Sequence, residues 1–188
     1  MTEESNTPRA VDEVVDLVST LIRFDTSNTG ELETTRGEEE CAKWVASMLE
    51  EVGYTTQYVE SGQPGRGNVF ARLPGPPDSD RGALLIHGHL DVVPAEPADW
   101  SVHPFAGTVK DGYIWGRGAV DMKDMVGMAL ALARSSGARA RRRRANWSSP
   151  SSPTRRQAGP GERTGSSNTG PICSRASPRP SAKSGAIR

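Results

Sequence analysis

The chain is short of the residues that usually staple, anchor or metallate a small domain. Cysteine occurs twice in 188 residues, at Cys41 and Cys173, too few and too far apart for a disulfide framework. A reduced, cytoplasmic compartment is the expectation. No apolar run approaches the roughly 18 residues of a membrane span. The acidic, polar start MTEESNTPRA has none of the basic and apolar character of a secretory signal. Histidine is confined to His87, His89 and His103, so imidazole chemistry has to arise from that one region. Residues 135–188 hold no Val and no Leu, and only Ile172 and Ile187 as β-branched aliphatics, against twelve Ser and six Pro. Such a segment cannot bury enough apolar surface to offset the entropy of ordering, and it is expected to be disordered.

Net charge is zero, but the average hides two unlike parts. Residues 135–188 carry eleven Arg, one Lys and one acid, Glu162, a net of +11. Subtracting these from 23 basic and 23 acidic residues leaves 11 basic and 22 acidic in residues 1–134, a net of −11. The break predicts a folded unit over 1–134 and an Arg/Ser/Pro-rich tail over 135–188.

Within the first unit, Val11, Val14, Val15, Val18, Leu21 and Ile22 recur at helical spacing and predict a helix from Pro8 to Phe24. A turn-rich loop follows, Phe24-Asp25-Thr26-Ser27-Asn28. Cys41, Trp44, Val45, Met48, Leu49 and Val52 form the stripe of a second helix over 38–52, with Gly53 placed for a left-handed cap. Thr55–Val59 and Asn68–Leu73 read as strands, as does the apolar run 83–86. Gly107–Val109 and Tyr113–Trp115 flank Asp111-Gly112 as a short hairpin. Met122–Ala133 reads as a helix. Helices alternating with strands predict an α/β layered domain.

The informative stretch is 84–123. The run Leu84-Leu85-Ile86 stops at His87-Gly88-His89-Leu90-Asp91, as when a buried strand delivers ligands to a cleft at its carboxyl end. Thirty residues on, Asp121 follows the glycine-rich turn Gly116-Arg117-Gly118-Ala119. Carboxylate oxygens and an imidazole on separate loops are the donors a zinc-type ion uses. An H-x-D triplet by itself also describes an ordinary loop histidine. The sum is more specific: the triplet, then Trp100 with Pro104-Phe105, then Asp111-Gly112, then Gly116 to Lys123. Cys41 on a helical stripe reads as core. His87 reads as lining the strand end, His103 as a loop residue near the cleft, Arg117 as a loop-holding side chain, and Trp100 and Phe105 as cover for the loop.

Together these motifs resemble the co-catalytic zinc amidohydrolases and peptidases: acetylornithine deacetylase, succinyl-diaminopimelate desuccinylase, aminoacylase, and the glutamate and dipeptide carboxypeptidases. The resemblance runs from about Val11 to Ala133 and takes in Phe24-Asp25-Thr26-Ser27. It implies a zinc-peptidase-like layered sheet with flanking helices, here incomplete. His89 would ligate zinc, Asp91 would orient its ring as the catalytic carboxylate behind it, and Asp121 would bridge two metals. It also implies a cis peptide after Asp121, two zinc ions per site with cobalt or manganese as substitutes, and small N-acyl amino acids or dipeptides as substrates. Family members use a Glu-Glu pair, later acidic and histidine ligands, and a dimerisation domain. This chain has no Glu-Glu pair after Lys123 and no histidine after His103, so activity is expected to be weak at best.

Two readings of the tail remain. In one, the sequence from 135–145 onward is a shifted reading frame. With G or C at most third codon positions, Asn146 to Ala158 can then read Glu-Leu-Val-Val-Ala-Val-Val-Ala-Asp-Glu-Glu-Ala-Gly, an apolar strand followed by the missing pair. In the other, Arg141-Arg142-Arg143-Arg144 is a nucleic-acid-binding patch. Trp147 is the tail's lone aromatic, which denies that patch a stacking platform. A metal-binding pseudoenzyme is the third possibility for the whole chain.

Overall fold

The computed structural model describes residues 8–31, 33–75, 80–148 and 186–187. Helix α1 spans Ala10–Arg23 and α2 spans Glu39–Glu50. Strands β1 (Thr55–Gln63) and β2 (Arg66–Arg72) pair antiparallel, with Tyr58 opposite Val69. After a 3₁₀ turn at Pro97–Asp99 come β3 (Thr108–Lys110) and β4 (Tyr113–Trp115), then α3 (Lys123–Ser148). A two-residue strand β5, Ala186–Ile187, pairs with β4.

Local chemistry accounts for most of these elements. Gly53, at φ 96°, ends α2 in a Schellman arrangement: Tyr54 N donates to Leu49 O and Gly53 N to Glu50 O. Asp111 and Gly112, at φ 56° and 78°, form the tight turn that the strand twist of the β3–β4 hairpin requires. α1 buries Leu17, Val18, Leu21 and Ile22, while Val11 and Val15 of the expected stripe face solvent. α1 packs on α3 at Gly127, where an added Cβ would lie 2.3 Å from Val18 Cγ2. One core layer joins Leu17, Leu49, Val52, Tyr54, Ala71, Leu130 and Ala131; a second joins Leu21, Cys41, Ala42, Val69 and Leu90. The result is a mixed α/β fold in which helices cover small antiparallel sheets.

Two expectations are corrected. The apolar run 83–86 is not a strand: Leu84, Leu85 and Ile86 are 80%, 50% and 43% exposed. A strand exists only by pairing, and no described segment lies beside this one to pair with it. The final helix also runs past Ala133 and past the boundary at 134, through Ser148. Ser135 is buried, Gly137 sits against Val52 and Tyr54, and Arg141 Nη1 donates to Glu51 O at 3.0 Å. Alanine and arginine are strong helix formers, which a scarcity of β-branched residues does not reveal. Residues 149–185, on which the disordered tail and the shifted-frame pair mostly fall, lie outside the described residues.

Candidate metal centre

Two loops converge to form the site. The first follows the extended segment 83–91 and is strapped to the loop after α1. Thr26 Oγ1 donates to Leu90 O at 2.6 Å, Val92 N to Thr26 O at 3.1 Å, and Asn28 N to Val92 O at 2.8 Å. The strap buries Leu90, Asp91 and Val92. The second loop precedes α3. Its Arg117 N donates to Pro104 O at 2.7 Å, and the Arg117 guanidinium stacks over the Trp100 ring at 5.2 Å. The Asp121–Met122 peptide is cis, and Met122 Sδ accepts from His89 N at 3.5 Å.

His89 lies between two carboxylates. Its Nε2 is 3.0 Å from Asp121 Oδ1. Its Nδ1 is 2.9 Å from the Asp91 carbonyl oxygen and 3.2 Å from Asp91 Oδ1. Direction favours the carbonyl, and the buried Oδ1 is left without a well-directed hydrogen bond. Either acceptor holds the proton on Nδ1 and leaves Nε2 facing Asp121. The Asp91 carboxylate, and to a smaller degree Asp121, push the His89 pKa up to about 9 against the opposing effect of burial. Burial alone would raise Asp91; the contacts from His89 and Asn28 and the charge of Arg66 outweigh it and hold the carboxyl below its ordinary range. The Asp121 side chain is 83% exposed, so the Nε2–Oδ1 edge opens to solvent.

The donor chemistry fits half of a zinc-type site. Bonds of roughly 2.0–2.2 Å in a tetrahedral shell put neighbouring donors about 3.3 Å apart. The observed 3.0 Å needs only a small side-chain adjustment. The described residues contain no group of three or more His, Cys, Asp or Glu arranged to hold a metal ion. His89 and Asp121 present two donor atoms side by side, fewer than a tetrahedral shell needs.

The other residues singled out from sequence fall outside this pair. His87 is exposed. His103, also exposed, accepts from Phe105 N at 3.2 Å and meets the Phe105 ring edge-on. Cys41 is buried, and burial pushes its thiol up to about 11, as suits a core residue. Sequence reasoning missed four side chains that build the centre. Asn28 Nδ2 donates to Asp91 Oδ2 at 2.9 Å. Arg66, held by Glu38, lies 3.7 Å from Asp91 Oδ2. Lys123, fully buried, ties the Asp121 loop to the end of α1. Asn28 could have been found from its place in the Asp-Thr-Ser-Asn turn; Arg66 and Glu38 carry no local signal.

Residues 85–146 match the family model described as Peptidase family M20/M25/M40. The chain is similar to this family over that stretch. Over 91 residues it is 41% identical to a succinyl-diaminopimelate desuccinylase of Bradyrhizobium sp. (strain ORS 278), covering 46% of this chain and 23% of that protein. Over 122 residues it is 35% identical to an N-formyl-4-amino-5-aminomethyl-2-methylpyrimidine deformylase of Bacillus subtilis (strain 168), covering 64% of this chain and 27% of that one. Among solved structures it is similar to human carnosine dipeptidase 1, with TM-score 0.58 and 27% identity over 69% of this chain and 29% of that one. The chain thus spans about a quarter of the length of the curated relatives it matches. The fold seen here is similar to the matching part of that dipeptidase.

Proposed function

We propose that the chain is the N-terminal portion of a metal-dependent hydrolase that cleaves an amide in a small N-acyl amino acid or dipeptide. The observation that carries this reading is the 3.0 Å approach of His89 Nε2 to Asp121 Oδ1, with Asp91 behind the ring. Bound there, a divalent ion, zinc by preference and cobalt or manganese by similar chemistry, would supply Lewis acidity for amide hydrolysis. His89 and Asp121 would hold it. Asp91 keeps the proton on Nδ1 and so keeps Nε2 free to ligate. The Asn28–Asp91 bond and the strap through Thr26 keep the first loop in register with the second. This portion extends to the end of α3 at Ser148, and the cytoplasm is its place.

The chain has no Glu-Glu pair after Lys123 and no later histidine. Loss of a general base alone costs roughly 10²–10⁴-fold. The chain by itself therefore binds metal and turns over N-acyl amino acids weakly or not at all. Isothermal titration with zinc tests the metal reading: the parent chain takes up zinc, and His89→Ala abolishes uptake. Equal uptake by the variant defeats the reading. Hydrolysis of N-acetyl and N-succinyl amino acids at rates of about 1–10³ s⁻¹, the ordinary range for enzymes, would contradict the low activity.

A further inference from the structure

We propose that Arg66, at the turn of the β1–β2 hairpin, is a positioning residue of the metal centre, holding the Asp91 carboxylate that sets the His89 ring. This rests on the metal reading above and adds a residue that neither motif loop contains. Arg66 Nη2 lies 2.9 Å from Glu38 Oε1, and its Nε donates to Glu38 Oε1 and Oε2 at 3.2 and 3.3 Å. The same Nη2 lies 3.7 Å from Asp91 Oδ2, the oxygen that Asn28 also reaches. Asp91 Oδ1 faces His89 Nδ1 at 3.2 Å. Charge therefore alternates from Glu38 through Arg66 and Asp91 to His89. The Glu38, Arg66 and Asp91 side chains are 8%, 19% and 7% exposed, so solvent screens these attractions little.

The backbone places Arg66 independently of its side chain. Gly65 O accepts from Glu38 N at 3.0 Å and from Glu39 N at 3.1 Å, so the hairpin turn supplies the cap of α2 that no side chain provides. Gly37 permits the approach: its φ is 82°, and a Cβ there would lie 2.6 Å from Gly65 O. Arginine suits the position because its planar fork can grip Glu38 through two nitrogens while Nη2 still faces Asp91. Lysine offers a point charge without that fork. Outer partners of metal-binding histidines typically matter by about 10–100-fold in affinity.

The test uses the full chain with zinc alone as the probe. Arg66→Met strands a buried carboxylate, so Glu38→Gln combined with Arg66→Met is made beside it, with Arg66→Lys as the conservative variant. The double variant, shown to be folded by circular dichroism, is expected to bind zinc about 10–100-fold more weakly, with partial recovery in Arg66→Lys. In the metal-free chain, the His89 ring nitrogen resonances are expected to shift and broaden in the double variant. A folded double variant with the parent's zinc affinity and unmoved His89 signals overturns the proposal. If the parent takes up no zinc, the metal reading fails on its own, and the His89 resonances decide the role of Arg66: moved signals support it, unmoved signals end it. Should the double variant not fold, Arg66→Lys decides by the same two measurements, and parent-like values in both overturn the proposal.

Discussion

Lys123 Nζ donates to the carbonyl oxygens of Leu21 and Phe24, at 2.8 Å each, from a side chain with no solvent exposure. Leu21 and Phe24 lie where α1 ends, and a helix end leaves carbonyls without intrahelical donors. One ammonium thus satisfies the end of α1 and fixes the start of α3, directly after Asp121. A cation at this end also complements the helix dipole. Lys123→Met keeps the length and removes the donor. Leu21 O keeps Phe24 N as a donor at 3.3 Å, so the loss falls on the Phe24 carbonyl; leaving an acceptor unsatisfied costs about 1–3 kcal/mol, offset in part by removal of a desolvated charge. The expected result is a lower urea midpoint with an unchanged slope. A midpoint equal to the parent's would show that the Phe24 carbonyl finds another donor.

The pH dependence of the metal-free chain isolates His89. Its pKa, ordinarily 6.5, is pushed up to about 9 by Asp91 and Asp121. Between these values the folded chain keeps a proton that the unfolded chain has released, so stability is fully present below pH 6.5 and is lost as pH rises through 9. Burial moves Lys123 the other way, from 10.5 down to about 8, so stability from that group rises with pH above 8. The window from 6.5 to 8 therefore belongs to His89. Urea titrations with a chelator present should show stability falling across it, by at most about 1.4 kcal/mol per pH unit. His89→Gln should flatten the curve; a fall that survives this substitution assigns the effect to another group.

The sequence made the local elements legible because local chemistry specifies them. Gly53 at the left-handed cap and Asp111-Gly112 at the hairpin turn follow from what those residues permit in the backbone. The motif loops were legible too: His89, Asp91 and Asp121 stood out as donor residues after glycine-rich or apolar signals, and the fold brings the three together. What stayed hidden depends on tertiary neighbours. Lys123 looks like a solvated helix residue until α1 is laid beside it. Arg66 lies 25 residues before Asp91 on a hairpin with no motif of its own. The run 83–86 has strand composition, but composition cannot supply a partner strand.

Close packing at Gly127 gives a prediction with opposing terms. Gly127 lies inside α3, where alanine is favoured over glycine by about 1 kcal/mol. Yet a Cβ there would lie 2.3 Å from Val18 Cγ2 and 3.4 Å from Val18 Cα. Val18 is 2% exposed and β-branched, so it has no rotamer to retreat into. Overpacking of this kind costs about 1–3 kcal/mol, which outweighs the helical gain. Gly127→Ala should therefore lower the thermal midpoint. Adding Val18→Ala should make the second substitution less harmful than it is alone, a coupling between contacting sites. Additive losses would show that α1 and α3 do not meet here.

The exposed run Leu84-Leu85-Ile86 should govern self-association. The three side chains are 80%, 50% and 43% exposed, and no strand pairs with them among the described residues. The segment passes over α3 at Gly88, whose added Cβ would lie 2.9 Å from Val126 Cγ2. α3 itself exposes Met125, Met128 and Leu132, at 53%, 43% and 57%. An extended apolar segment with free backbone groups is a template for pairing with another chain, and lysine on such an edge blocks it. Leu84→Lys with Leu85→Lys should cut light scattering on concentration and shift the sedimentation profile towards monomer. Both residues lie outside the core clusters, so the circular dichroism spectrum should be unchanged. Scattering equal to the parent's, in a folded variant, would move the cause of association to another surface.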